Sequence, residues 1–256
     1  MPEGWSAPLS GSNASLDHLV ETFAHGPHRV RKDEESYFLS SSHLDACATE
    51  DEAWKTLYGI VDRINRAMAV TDPSFKPVEV AGLIQVDASG TRRLHVRVAV
   101  GVGLASSSVV RARGVGLVTR ADGTVEADTP RPSFAETVVA LQEKEEPNSI
   151  VSEALEQWAL PKTPTSLCKV LEIIRDDKGR NWDVMAGRMA PLLGMSKRQA
   201  IDEVDRCWRS LQDRAAVGPN ARHARLKGRQ HSNPMSLHEA TGFVRRLLEA
   251  WLRDRI

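Results

Sequence analysis

Between Gly218 and Met235 the chain carries four cations, Arg222, Arg225, Lys227 and Arg229, and two histidines, His223 and His231, without one carboxylate. Charge of a single sign, on backbone loosened by Gly218, Pro219, Gly228 and Pro234, suits a phosphate or another anion. Arg222, His223, Arg225, Lys227 and Arg229 are therefore the candidate anion- or RNA-binding residues. The same arginines have a structural alternative. Glu172 and Asp176 stand at i and i+4 of an expected helix, where they can receive Arg222 or Arg225 in bidentate ion pairs that clamp the stretch down.

The flanking elements must position this stretch. Ser196 to Gln212 repeats apolar residues at helical spacing, and so does 236–253, where Phe243, Leu247, Leu248 and Trp251 share one face and Ser236-x-x-Glu239 forms a capping box. Further helices are expected at about 134–145, 148–160, 164–177 and 182–193, which makes residues 133–256 an all-helical domain. Upstream of the stiff Asp128-Thr-Pro-Arg-Pro132 break the period changes from 3.6 to two. Ser36–Ser40, Pro77–Val86, Arg92–Leu104 and Ser107–Arg120 read as strands of an antiparallel sheet. Thr49-x-x-Glu52 caps an amphipathic helix over about 50–68 that covers one sheet face. The fold class is thus α+β: a sheet domain over 35–128, then a helical bundle, with residues 1–34 expected to be a flexible arm.

Composition narrows the function classes. Lys and Arg total 34 and so do Asp and Glu, which excludes a protein that coats nucleic acid by bulk charge. The polarity is local: 214–256 holds nine Lys/Arg against three acids, whereas 136–156 holds six glutamates and one lysine. Cys47, Cys168 and Cys207 form no C-x-x-C pair and read as small core hydrophobes of a reducing, cytoplasmic compartment. No apolar run approaches the roughly 20 residues of a bilayer-spanning helix, and Met1-Pro-Glu-Gly-Trp-Ser has no secretory signal character.

Three other motifs invite chemistry and are better explained without it. Met189-Ala-Pro-Leu-Leu-Gly194-Met-Ser196 resembles the turn of a helix-turn-helix, but Pro191 interrupts the first helix and the second mixes Asp202, Glu203 and Asp205 with its cations. Gly101-Val-Gly103 and Gly114-Val-Gly116 open no helix and so read as strand glycines rather than a nucleotide loop. His18, His25, His28 and His43 lack a zinc-like context, so neither a metal nor a cofactor is expected.

Arg225 and His231, separated by five residues, match the Arg-x4-6-His pattern of HEPN nucleases. That resemblance implies a metal-independent endoribonuclease in which Arg225 binds phosphate and His231 assists transfer of the 2′-hydroxyl proton. A broader likeness spans about 90 residues: Leu167-Cys-Lys-Val-Leu-Glu-Ile-Ile-Arg, Asn220-Ala-Arg-His-Ala-Arg, Pro234-Met-Ser-Leu-His-Glu-Ala and Arg245-Arg-Leu-Leu-Glu-Ala-Trp-Leu. It resembles a group of uncharacterised bacterial proteins in which such a helical part follows a β-rich segment, and it implies architecture rather than activity. Cys168, and Asp177-Lys-Gly in place of a Val-Gly-Gly turn, depart from the group's pattern.

The expected function is non-catalytic binding of an anionic partner, RNA before others, in a bacterial cytoplasmic system. Two alternatives stand beside it. One is the HEPN-like ribonuclease acting through Arg225 and His231; the other is a scaffold or subunit of a larger assembly, such as a phage-defence system, with a protein partner or a second copy of itself.

Overall fold

The computed structural model describes residues 4–86, 89, 91–95, 118–119, 125–126, 132–144, 149–218, 221 and 232–256. Among them the chain is α+β, in two units: 1–65 with 74–137, and 66–73 with 138–256.

The first unit opens with β1 (Gly4–Ser10), α1 (Asn13–Thr22), β2 (His28–Asp33) and β3 (Ser36–Ser41), followed by the short α2 (Ser42–Asp45) and the long α3 (Glu50–Thr71). Next come β4 (Glu79–Val80), β5 (Leu83–Val86) and β6 (Arg92–His95); β7 (Val118–Thr119) and β8 (Val125–Glu126) make a separate antiparallel pair. The main sheet runs β2-β3-β1-β5-β6 with β4 also on β1, every pairing antiparallel. This is a split β-α-β connectivity. The first 34 residues, expected as a flexible arm, supply its central strand, one covering helix and an edge strand. The reason is visible in their alternation: Trp5, Ala7 and Leu9 are buried while Gly4, Ser6 and Pro8 are not, the pattern of a sheet with one covered face. Leu16 and Leu19 of α1, and Phe23 at its C-cap, are buried.

Helices α1 and α3 lie on the inner face. The Tyr37 hydroxyl donates to Asp17 of α1 at 2.6 Å and Lys32 donates to the same carboxylate at 3.1 Å. Tyr37 first, then Lys32, hold Asp17 below the ordinary aspartate value against a partial opposing effect of burial. On α3, Glu50 meets Nδ1 of His95 at 2.9 Å, and the His95 ring lies 5.8 Å from that of Trp5. Asn65 accepts from Val78 N–H at 3.0 Å and donates to its carbonyl at 2.9 Å. The Thr49–Glu52 capping box forms as its sequence predicts, each side chain reaching the other residue's backbone N–H.

The outer face carries two registered rows. Arg29, Ser40, Ser6, Ile84 and Leu94 are successive cross-strand partners, and Arg31, Phe38 and Pro8 form the parallel row, with Leu94 and Pro8 both bordering Gly82. Arg29 and Arg31 are exposed, Leu94 is 63% exposed, and the residues between are half-buried.

The second unit holds the end of α3 and α4 (Phe134–Lys144, whose first turn belongs to the sheet unit), α5 (Ile150–Ala159), α6 (Pro164–Lys178), α7 (Trp182–Met189), α8 (Lys197–Gln212), α9 (Arg214–Val217) and α10 (Leu237–Arg253). Helix α6 is central: it touches α5, α7, α8 and α10 and buries Leu167, Cys168, Val170, Leu171, Ile173 and Ile174. Capping explains where these helices start. Ser149, Thr163, Asn181, Ser196 and Ser236 each accept a backbone N–H from the first turn of α5, α6, α7, α8 and α10. Helix α7 ends at Met189, short of the expected 193, because Pro191 offers no N–H to continue it. Trp158 donates its indole N–H to Ala69 O at 2.9 Å and Arg66 pairs with Glu156 at 3.0 Å, tying α5 to the end of α3.

A charged cluster locks α10 to the end of α6. Asp177 accepts the Trp251 indole N–H at 2.8 Å and an Arg255 N–H, and Lys178 bridges Asp177 at 3.4 Å and Asp254 at 2.6 Å. Burial pushes the Asp177 carboxyl up, but the Trp251 N–H, Arg255 and Lys178 together outweigh it and hold Asp177 below its ordinary 3.8. A depressed folded-state pKa gives stability that is present above the unfolded value and lost as pH falls through the folded one. Thermal unfolding followed from pH 6 down to about 2 should therefore lose a component below about 4, and Asp177→Asn should remove that component. An unchanged acid limb in the variant would assign it to other carboxylates.

No helix among the described residues is long and apolar enough to cross a membrane.

Candidate functional site

The cationic candidates Arg222, His223, Arg225, Lys227, Arg229 and His231 lie outside the described residues, but both ends of their segment are anchored on α8. On the entry side Asp213 closes α8 by donating its N–H to Ser210 O at 3.1 Å, and its side chain accepts from Ala215 N–H at 2.9 Å as α9 begins. Gly218 then takes φ +79, a conformation glycine adopts without strain, and its carbonyl accepts from Ala221 N–H at 3.2 Å. On the exit side Arg206 Nε donates to Asn233 O at 2.7 Å, and Met235 N–H donates to Ser210 Oγ at 2.8 Å. Ser236 and Glu239 complete the capping box that starts α10. The Ser236 N–H, followed by its hydroxyl, holds the Glu239 carboxyl below its ordinary range.

Ser210 thus serves two masters: it donates to Arg206 O at 2.7 Å and receives Met235 N–H. Arg206 reaches Glu203 at 3.4 Å and Glu239 at 4.0 Å, so one guanidinium joins α8, the segment's exit and the first turn of α10. These side chains were not singled out in the sequence. Their signal was faint: Arg206 is one of several alternating charges on α8.

The proposed receivers of a clamp have local partners. Glu172 pairs with Lys169 at 3.5 Å, and Asp176 accepts from Arg175 Nε and Nη2 at 2.9 and 2.7 Å. Arg175 also lies over the Trp182 ring, 4.8 Å from its centroid, and Trp182 packs on Trp208 at 4.4 Å.

Along α8 Arg198 pairs with Asp202 at 3.2 Å and Arg209 with Asp205 at 2.8 Å, so the helix after the Gly194 turn carries a face of mixed, locally paired charge.

Cys168 and Cys207 are buried, and burial pushes the Cys207 thiol far up, which suppresses thiolate chemistry. Cys47 departs from the expected core role. It is only partly buried, between α2 and α3, with its thiol directed at His43 O and Thr56 Oγ1 at 3.3 and 3.4 Å. His28, expected in a mobile region, is a buried sheet residue whose Nδ1 lies 2.9 Å from Ser41 Oγ, its ring edge-on to His43 at 5.2 Å. Gly101, Gly103, Gly114 and Gly116 lie outside the described residues.

No protein-family model matches this chain, and neither a curated protein nor a solved structure matches it.

Proposed function

We propose that the protein is a non-catalytic binding protein of a bacterial cytoplasmic system, and that it engages RNA through the 222–231 segment. The observation that carries this reading is the run of four cations without a carboxylate. Support comes from the described residues on either side of that run: Asp213 closes α8 before it, and Arg206 and Ser210 hold Asn233 and Met235 after it. A segment tied at both flanks loses less chain entropy on binding than a free tail does. Helices α5 to α8 with α10 act, in this reading, as a helical bundle whose task is to hold the loop.

Binding to single-stranded RNA across a salt series tests it. Four phosphate contacts give a log–log slope of about −2.8, hence roughly a 50-fold loss of affinity between about 50 and about 200 mM salt. A protein that shifts no RNA at the low end of that range is not an RNA-binding protein of this kind.

A further inference from the structure

His28 and His43 are too far apart in sequence for the His-x3–5-His spacing of a zinc motif, and it is the sheet that brings them together. His28 opens the edge strand β2 opposite Ser41, the last residue of β3. Helix α2 begins at the next residue, so His43 in its first turn comes back to the start of β2. The two ring centroids are 5.2 Å apart with the planes at 84°, and a ring nitrogen of one histidine lies within 4.8 Å of a ring nitrogen of the other. Ser41 organises both residues. Its hydroxyl oxygen caps α2 by accepting the His43 backbone N–H at 3.1 Å, and it meets His28 Nδ1 at 2.9 Å. His28 is 3% exposed and held by that contact, whereas His43 lies on the surface.

We propose that His28 and His43 bind a divalent transition ion, zinc first, which clips the start of β2 to α2. Imidazole nitrogen suits zinc, nickel and copper, whereas magnesium and calcium select oxygen. Two nitrogens about 2.1 Å from one tetrahedral ion stand about 3.4 Å apart, a separation that the exposed His43 ring reaches by turning about its own side-chain bonds. In the bound form His28 donates its Nδ1–H to Ser41 Oγ, and Nε2 carries the lone pair that the ion takes. A partner at the second ring nitrogen is the usual way a ligating histidine is oriented. Because the His43 backbone is tied to that same hydroxyl, Ser41 sets the direction of one ligand and the position of the other. Solvent completes the coordination on the open side, as it does at metal sites with few protein ligands. Two neighbouring groups are engaged elsewhere: Asp45 accepts the Trp5 N–H at 3.0 Å, and the Cys47 thiol is directed at His43 O and Thr56 Oγ1. Among the described residues β2 pairs with β3 alone, so the ion fastens an edge strand at the end where the chain enters it. This proposal shares no residue with the 222–231 segment, and zinc uptake is read without RNA, so either can fail while the other stands.

The test uses the full chain and zinc ion alone, followed by titration calorimetry and by thermal melts with and without a chelator. Wild type is expected to take up zinc and to melt higher with it, because an ion held by the folded state raises its stability. His43→Gln, at an exposed position, is expected to melt like wild type without metal. It should bind zinc at least about tenfold more weakly, the loss that even an outer partner of a ligand causes. His28→Gln should lose as much; if that buried substitution unfolds the unit, His43→Gln remains the measure. With copper in place of zinc, pulsed electron paramagnetic resonance should show two coupled imidazoles in wild type and one in His43→Gln. Unchanged zinc affinity in His43→Gln overturns the site and leaves an adventitious ion only, held by other histidines such as His18 or His25. A wild-type copper spectrum with a single imidazole also overturns it, as does the absence of zinc uptake at the highest concentration at which the protein stays dissolved.

Discussion

Trp251→Ala is expected to destabilise the helical unit by roughly 4 kcal/mol, the range for removing a fully enclosed aromatic. Trp251 is 0% exposed on the buried face of α10, beside Leu247, Leu248 and Ala250. Its loss opens a void that the central α6 cannot collapse into without giving up its own contacts with α5, α7 and α8. The substitution also strips Asp177 of its indole donor and removes the ring beneath Arg255, whose guanidinium carbon is 4.8 Å from the centroid. Set against total stabilities of about 5–15 kcal/mol, this is enough to empty much of the native state. Urea unfolding with a fixed m-value measures it, and a loss below about 1 kcal/mol would mean the site relaxes and the enclosure is not what holds α10. Trp251→Phe separates the two contributions: most apolar area stays, the N–H goes, and about 1–3 kcal/mol for leaving Asp177 short of a donor is the expected residue of the effect.

The second large effect is on binding. Changing Arg222, Arg225, Lys227 and Arg229 together to glutamine is expected to reduce the RNA salt slope by about 2.8 and the affinity at moderate salt by one to two orders of magnitude. The outcome also discriminates between the loop's two physical readings. If Arg222 and Arg225 are clamps seated on the half-buried Glu172 and the exposed Asp176, neutralising them removes those pairs and lowers the melting temperature while RNA affinity stays put. If they face a ligand, stability is unchanged and affinity falls. His231→Ala completes the set: the ribonuclease reading requires it to abolish cleavage of RNA, and cleavage retained in that variant, or none in wild type, removes Arg225 and His231 from catalytic roles.

Much of this architecture was legible because local signals and tertiary packing agree. The two S/T-x-x-E boxes, Thr49–Glu52 and Ser236–Glu239, are present as hydrogen-bonded caps, and the apolar spacings of 164–177 and 236–253 reappear as the buried faces of α6 and α10. What misled was composition. Gly4, Pro8, Gly11, Gly26 and Pro27 made the first 34 residues look like a tail, although proline in β1 interrupts nothing when its neighbours pair around it and Gly26, at φ +83, turns the chain into β2. The alternation of His28-Arg-Val-Arg31 was there to be read, with His28 and Val30 inward and both arginines outward, but six residues of mostly charged type carry little apolar signal of their own. Long-range anchors such as Arg206 to Asn233 and Trp158 to Ala69 leave no local trace at all, because they depend on which helices become neighbours. For the candidate loop, charge and flanking caps were the legible part.

The position of β1 has a consequence for how the chain comes to be. Strand β1 leaves the ribosome before both of its neighbours and is the middle strand of the sheet, paired on one side with β3 and on the other with β5, so Trp5 must wait for Gln85, about 80 residues behind it. At roughly 5–20 residues per second that is an interval of about 4 to 16 seconds in which one edge of β1, with Trp5, Ala7 and Leu9 beside it, has no strand to pair with. The nascent protein is most exposed to mispairing during its own synthesis, and an early-acting chaperone would find its target at β1.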